Sequence, residues 1–384
     1  MKKELLVFTI LGLVSLTADV AYEGARSISG PLLESLKAVP AAAAVVGSGE
    51  FVNYVARFFG GYACAVFKSS AVLWATVVLG YLVNLVVVPL LAFTGRWDVA
   101  VALYIVERVG KGLRAPSRDT VLAEITSSMG RGKGFGIHEV MDQVGAFVGP
   151  LSVSLAVSTG GYRLAFLSLA IPAALSVALV VSAALLYPRV ESVDYGSAET
   201  PGFRGLPRQF WIYTVSASTL LAGYVHWAIA SMYMASERRI PASEVALAYS
   251  VAMAVDALTA LPAGIAYDRY GLKSLAIAPP AAALALAVLV LSEGPLAPYA
   301  VGALWGVVMG LYETNMRAAV ADLVEPGKRS LAYGTFGLLT GLSWSLGGFA
   351  ISSIAGNKLL LLSYVVTVEF VSLAALRRLL KVRS

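Results

Sequence analysis

The chain has 384 residues, 58% of them hydrophobic and only 14% charged, against about 25% charged in an ordinary soluble domain. With a mean hydropathy of +0.77, that composition places most of the chain in lipid rather than in two or three soluble domains. The net charge of +6 includes no basic patch with interleaved aromatics, so nucleic acid is excluded as a partner. The single cysteine, Cys64, excludes an intrachain disulfide, and His138 and His226 lie too far apart in sequence for metal-ligand spacing.

A bilayer core about 30 Å thick takes about 20 apolar residues per helix. Breaks at Gly, Pro and charged clusters divide the chain into twelve spans near 5–24, 41–66, 70–93, 98–119, 134–157, 163–187, 210–234, 243–266, 273–292, 296–320, 330–354 and 358–377. Lys2-Lys3 before Leu5–Leu16 resembles a signal peptide, but the apolar run exceeds that length and is read as the first span. The only long polar connection, PRVESVDYGSAETPGFRGLPRQF, separates a bundle over 1–187 from one over 210–384, with a linker over 188–209. Seven of the 29 Lys/Arg (Arg26, Lys37, Arg96, Arg163, Arg238, Arg239 and Lys358) fall outside if both termini are cytoplasmic, which satisfies the positive-inside rule.

In the first span Asp19, Tyr22, Glu23 and Arg26 share one face at about 100° per residue. The fourth span carries ERVGKGLRAPSRD, with Arg108, Lys111, Arg114 and Arg118 at three- and four-residue spacing. A charge in mid-bilayer costs about 2.5–3.5 kcal/mol or more, so these groups are expected to be paired or to face a wet cavity. The fifth span carries HEVMDQVGAFVGP. Glu139 and Asp142 are positioned to pair with Arg114 or Arg118, while Gly145 and Gly149 permit close helix contact and Pro150 a kink. Glu50, Asp256 and Glu313, with Arg317 a turn beyond, are further intramembrane acids and their neighbour. The stretch 130–150 reads against 327–348 at one offset, matching Arg131 to Arg329, Phe135 to Tyr333, Gly136 to Gly334 and Gly149 to Gly347. This duplication is expected of a transporter.

GIAYDRYGLK, residues 264–273, resembles the loop that the major facilitator superfamily repeats after its second and eighth helices. GGYACAVFKSS, residues 60–70, keeps the glycines and Lys68 without the Asp-Arg pair. Arg108-xxx-Gly112 resembles that family's fourth-helix motif, and Gly145-xxx-Gly149-Pro150 the fifth-helix motif of its proton antiporters, with Val153-Ser154 replacing the final glycines. The resemblance implies an all-α polytopic fold of two pseudo-symmetric six-helix bundles and secondary transport by alternating access. It also implies that the first, fourth, seventh and tenth helices line the cavity. Asp19, Glu23, Arg26, Glu50, Arg108 and Glu313 then become expected coupling or cavity residues. Arg114, Arg118, Glu139, Asp142, Gly145, Gly149, Pro150, Asp268 and Arg269 become expected gating residues. The expected activity is proton-coupled export of a small or amphipathic solute by a monomer in the plasma membrane, with a proton symporter or facilitator for a metabolite as the alternative. No cofactor, metal, nucleotide motif or nucleophile-base pair is found, so no enzymatic activity is expected.

Overall fold

The computed structural model describes residues 2–126, 131–191, 205–325 and 328–383. Most of the linker lies outside these residues, as do the side chains of Arg131, Phe135 and Arg317. Among the described residues there are helices and no strands, as expected where no water is available to satisfy an open backbone.

The first unit comprises Met1–Ala38 and Val52–Ala198. It holds α1 (Lys2–Ser27), α2 (Ser29–Ser35), most of α4 (Gly49–Phe67), α5 (Ser70–Leu90), α6 (Trp97–Ile125), α7 (Arg131–Ser168) and α8 (Ala170–Leu186). The Ser69 side chain caps α5 by accepting from the Ala71 amide at 3.2 Å. The α7 stretch breaks at Gly160 and Gly161, where φ of +69° at Gly161 suits a residue without Cβ.

The second unit comprises Val39–Phe51 and Glu199–Ser384. It holds α3 (Pro40–Gly47), the first turn of α4, and then α9 (Arg208–Gly223), α10 (Trp227–Ser236), α11 (Ala242–Tyr270) and α12 (Ala278–Leu291). The chain continues through α13 (Ala297–Leu311), a π-helical turn over Tyr312–Met316, α14 (Arg317–Leu323), α15 (Arg329–Ile354) and α16 (Lys358–Arg383). Among the described residues, six stretches are long and apolar enough to cross a membrane. Two of these, Gly136–Leu186 and Ala242–Leu291, run to 51 and 50 residues, each enough for two crossings at about 20 residues apiece.

Two expected continuous spans are interrupted. The span at 41–66 breaks at Ser48 between α3 and α4, and the span at 210–234 breaks at Tyr224–His226 between α9 and α10. Side chains hold the second break open. Trp344 Nε1 donates to the Tyr224 carbonyl at 2.8 Å, Trp305 Nε1 to the Val225 carbonyl at 3.0 Å, and the Tyr364 hydroxyl to the Ala222 carbonyl at 3.2 Å. His226 Nδ1 accepts from the Ala228 amide and caps α10. Tyr224 stacks between Trp305 and Trp344, with ring centroids 5.3 and 5.5 Å away. These groups satisfy carbonyls that would otherwise be left without partners in an apolar interior.

The repeat has a structural counterpart. A side chain on Gly149 would run into the Val20 carbonyl of α1, and one on Gly347 into the Ala222 carbonyl of α9. Gly136 and Gly334 both face open space. In each unit, then, one glycine of the matched pair lets two helices touch and the other does not.

Candidate functional site

The first unit encloses a charged network built by α1, α5, α6 and α7. On α1, Asp19, Glu23 and Arg26 are all buried, at 7%, 6% and 6% exposure. Arg26 Nη1 lies 3.5 Å from Glu23 Oε1, and Lys111 Nζ of α6 approaches the same oxygen at 3.6 Å. Asp19 hydrogen-bonds with Tyr22 and feels Lys111, Asp142 and Glu23 electrostatically. The Lys111 ammonium also sits 4.2 Å from the centre of the Tyr22 ring. Lys111 is therefore shared between two carboxylates and an aromatic face.

Arg108 is buried and pairs with its neighbour Glu107 at 2.6 Å, and the Asn84 side-chain amide of α5 donates to that same glutamate. The Arg114 guanidinium lies 3.9 Å from the Tyr81 ring centre and 5.8 Å from that of Tyr22. Stacking of this kind contributes about 2 kcal/mol when water is excluded. Arg118 donates to Asp119 at 2.9 Å, reaches Ser15 at 3.3 Å and approaches Asp142 Oδ2 at 3.9 Å. His138 joins Asp142 at 3.4 Å and Ser15 at 3.1 Å. Asp142 thus receives the Arg118 and His138 groups together.

Of the four expected pairings between the fourth and fifth spans, the structure makes Arg118 with Asp142. Glu139 corrects the expectation: it is exposed, because α7 turns that position away while Asp142, three residues on, faces inward. Arg114 stacks closely on the Tyr81 ring and acts on Asp142 electrostatically rather than through a close ion pair. Gly145 and Gly149 bring α7 against the α1 backbone, with a Cβ on Gly145 colliding with the Leu16 carbonyl and approaching Asp19 Cβ. Pro150 lies within α7, directly after that contact. The small-residue motif therefore sets the depth at which Asp19 meets α7.

The other expected residues lie elsewhere. Glu50, in the first turn of α4, and Glu313, in the π-helical turn, are each half-buried in the second unit. Asp256 is 3% exposed on α11, where Gly306 and Gly310 of α13 close onto its backbone. Asp268 and Arg269 are exposed in the last turn of α11, with Arg269 5.3 Å from the Tyr270 ring centre. Sequence reasoning missed Glu107, Tyr81 and Glu369. The signal for Glu369 was present as a lone acid in the apolar run VVTVEFVSL.

Internal duplication and broken helices recur in polytopic membrane transporters. The chain belongs to the Major Facilitator Superfamily, which it matches over residues 11–348. An uncharacterised protein of Mycobacterium tuberculosis is 40% identical over 349 residues, covering 88% of this chain and 84% of the relative. An uncharacterised MFS-type transporter of Methanocaldococcus jannaschii is 26% identical over 353 residues, covering 87% and 84%. The fold is shared with a point mutant of the nucleoside transporter NupG, at a TM-score of 0.78 and 17% identity over 96% of this chain and 99% of that one. A point mutant of the peptide transporter POT, in complex with alafosfalin, gives 0.75 at 14% identity over 98% and 94%. A bacterial homologue of the human lysosomal transporter Spinster gives 0.69 at 14% identity over 98% and 95%. The protein is thus a multi-pass membrane transporter of the major facilitator type, and its cargo is a small solute.

Proposed function

We propose that the chain exports a small or amphipathic solute in exchange for protons. In this reading twelve spans form two six-helix bundles that alternate access, a monomer works in the plasma membrane, and both termini are cytoplasmic. The observation that carries the proposal is the Asp19 environment: a buried acid between a tyrosine hydroxyl, a shared lysine and two further carboxylates. Buried charges in lipid mark ion pathways when they are arranged around an ionisable partner. Adding a proton to Asp19 removes its hold on Lys111 and leaves that ammonium to Glu23. Removing the proton reverses the exchange. Because Asp19 also borders the Gly145 contact with α7, its charge acts where α1 and α7 pack. Solute affinity is then linked to proton occupancy by a coupling free energy that works in both directions.

Proteoliposomes with an imposed pH gradient test this. Asp19→Asn should abolish gradient-driven transport and leave solute exchange intact, while Glu313→Gln tests the same role in the second unit. Wild-type rates and pH dependence in Asp19→Asn would remove Asp19 from the mechanism, and uptake driven by inward proton flow would make the protein a symporter.

A further inference from the structure

Outside the charged network, one acid of the second unit is sealed in an apolar interface. Glu369 sits midway along α16 on the face that buries Leu361, Val365, Ser372, Leu376 and Leu379 against α9 and α12, and it is 3% exposed. Both of its carboxyl oxygens are buried without a hydrogen-bond partner among the described residues. The acid fits because Gly223 opposite it has no side chain; a Cβ there would collide with Oε1. Gly223 is the last residue of α9, immediately before the break to α10.

Among the described residues the surroundings offer no counter-charge, and Lys358, Arg377 and Arg378 of its own helix are exposed and two or more turns away. On its own helix Tyr364 interacts with it electrostatically, and the Tyr364 hydroxyl is turned to the Ala222 carbonyl. From α9 the facing group is Gly223, with Arg208 and Tyr213 far along that helix. The α12 sequence APPAAALALAVLVL has no ionisable side chain. In the turn 271–277 Lys273 is exposed, and on α15 the ionisable groups are Arg329 and Tyr333 at its opposite end. Filling the gap over Gly223 would not require a carboxyl, since an apolar side chain of similar size packs there without polar atoms to satisfy. A carboxyl adds one capacity, which is to bind and release a proton.

We propose that Glu369 is a proton-binding site of the second unit, placed so that its charge acts on the break between α9 and α10. A helix C-terminus carries partial negative charge from its last carbonyls. An ionised Glu369 at Gly223 therefore faces repulsion from the end of α9 as well as the lack of a donor. Proton loss loosens the seal at Gly223, and proton gain closes it. The carbonyls pinned by Trp344, Trp305 and Tyr364 lie within one turn of that point, so the aromatic cluster reports the event.

This site is separate from Asp19, and its test needs no transport. The purified protein in lipid nanodiscs is treated with dicyclohexylcarbodiimide, which adds to protonated carboxyls in apolar surroundings. Labelling of Glu369 is read by mass spectrometry from about pH 5 to about pH 11, alongside tryptophan fluorescence. Labelling should fall about tenfold per pH unit on the alkaline side of the titration. The fluorescence should show a transition at the same pH, lost in Glu369→Gln, shifted in Glu369→Asp and kept in His226→Gln. Labelling that is flat with pH would mean a permanently neutral structural acid and overturn the proposal. So would a fluorescence transition that survives Glu369→Gln or vanishes in His226→Gln. Should Glu369→Gln fail to fold, the labelling profile of the wild type decides alone. A failed Asp19→Asn result leaves this test untouched, and the reverse also holds.

Discussion

Adding one methyl group at Gly149 should separate a structural contact from a mere sequence pattern. A Cβ there meets the Val20 carbonyl oxygen at 2.5 Å and the Gly24 amide nitrogen at 3.0 Å, both backbone atoms that no side-chain rotation can move away. Overpacking of this kind costs about 1–3 kcal/mol. Replacing Gly by Ala inside a helix returns about 0.5–1 kcal/mol of propensity, so Gly149→Ala should destabilise the protein by up to about 2.5 kcal/mol net. Gly136, on the same helix, has nothing within 4 Å of its Cβ position, so Gly136→Ala should stabilise by about 0.5–1 kcal/mol. Gly347→Ala and Gly334→Ala should repeat the contrast in the second unit, because a Cβ meets the Ala222 backbone in the first case and open space in the second. Unfolding in detergent, followed by circular dichroism against denaturant, measures all four. If Gly149→Ala and Gly136→Ala prove equally stable, α7 does not approach α1 as described and the small-residue motif has no packing role.

Removing Arg118 or Asp142 singly should destabilise by about 2–3 kcal/mol, below the full cost of a sealed pair because each side chain is about a fifth exposed, and exchanging the two should recover part of the loss. Trp344→Phe removes the donor to the Tyr224 carbonyl while keeping an aromatic ring, so denaturation should show a loss of about 1–3 kcal/mol, against a smaller loss at an exposed tryptophan such as Trp211. In a Cys64→Ser background, a cysteine at the exposed position Ser236 should react with an impermeant maleimide in intact cells; labelling only after permeabilisation would reverse the proposed topology.

Much of the first unit was legible because helical periodicity assigns residues to faces. Asp19, Tyr22, Glu23 and Arg26 share a face in the sequence and meet one network in the structure. The same spacing could not choose between Glu139 and Asp142 as the partner of α6, since a rotation of α7 by less than a turn exchanges them. Nor could it show that Arg114 rests on tyrosine rings, because Tyr81 and Tyr22 come from two other helices and carry no charge to suggest a pairing. The break after Gly223 was hidden for a related reason. GYVHWA has one glycine and no proline, and what holds it open comes from Trp305, Trp344 and Tyr364, up to 142 residues further on. Glu369 was visible as an acid in an apolar run. Its isolation was not, because the lack of a partner depends on every helix that surrounds it.

The joint between α9 and α10 changes how force passes through the second unit. A continuous helix behaves as a beam, and pushing one end moves the other. Here the beam is cut, and the cut is tied to its neighbours: at Ala222 by α16, at Tyr224 by α15 and at Val225 by α13. Displacing α9 alone would stretch all three ties together, so the four helices share a load as a truss does. The ten-residue α10 beyond the cut is carried by that truss rather than driven by the rod below it.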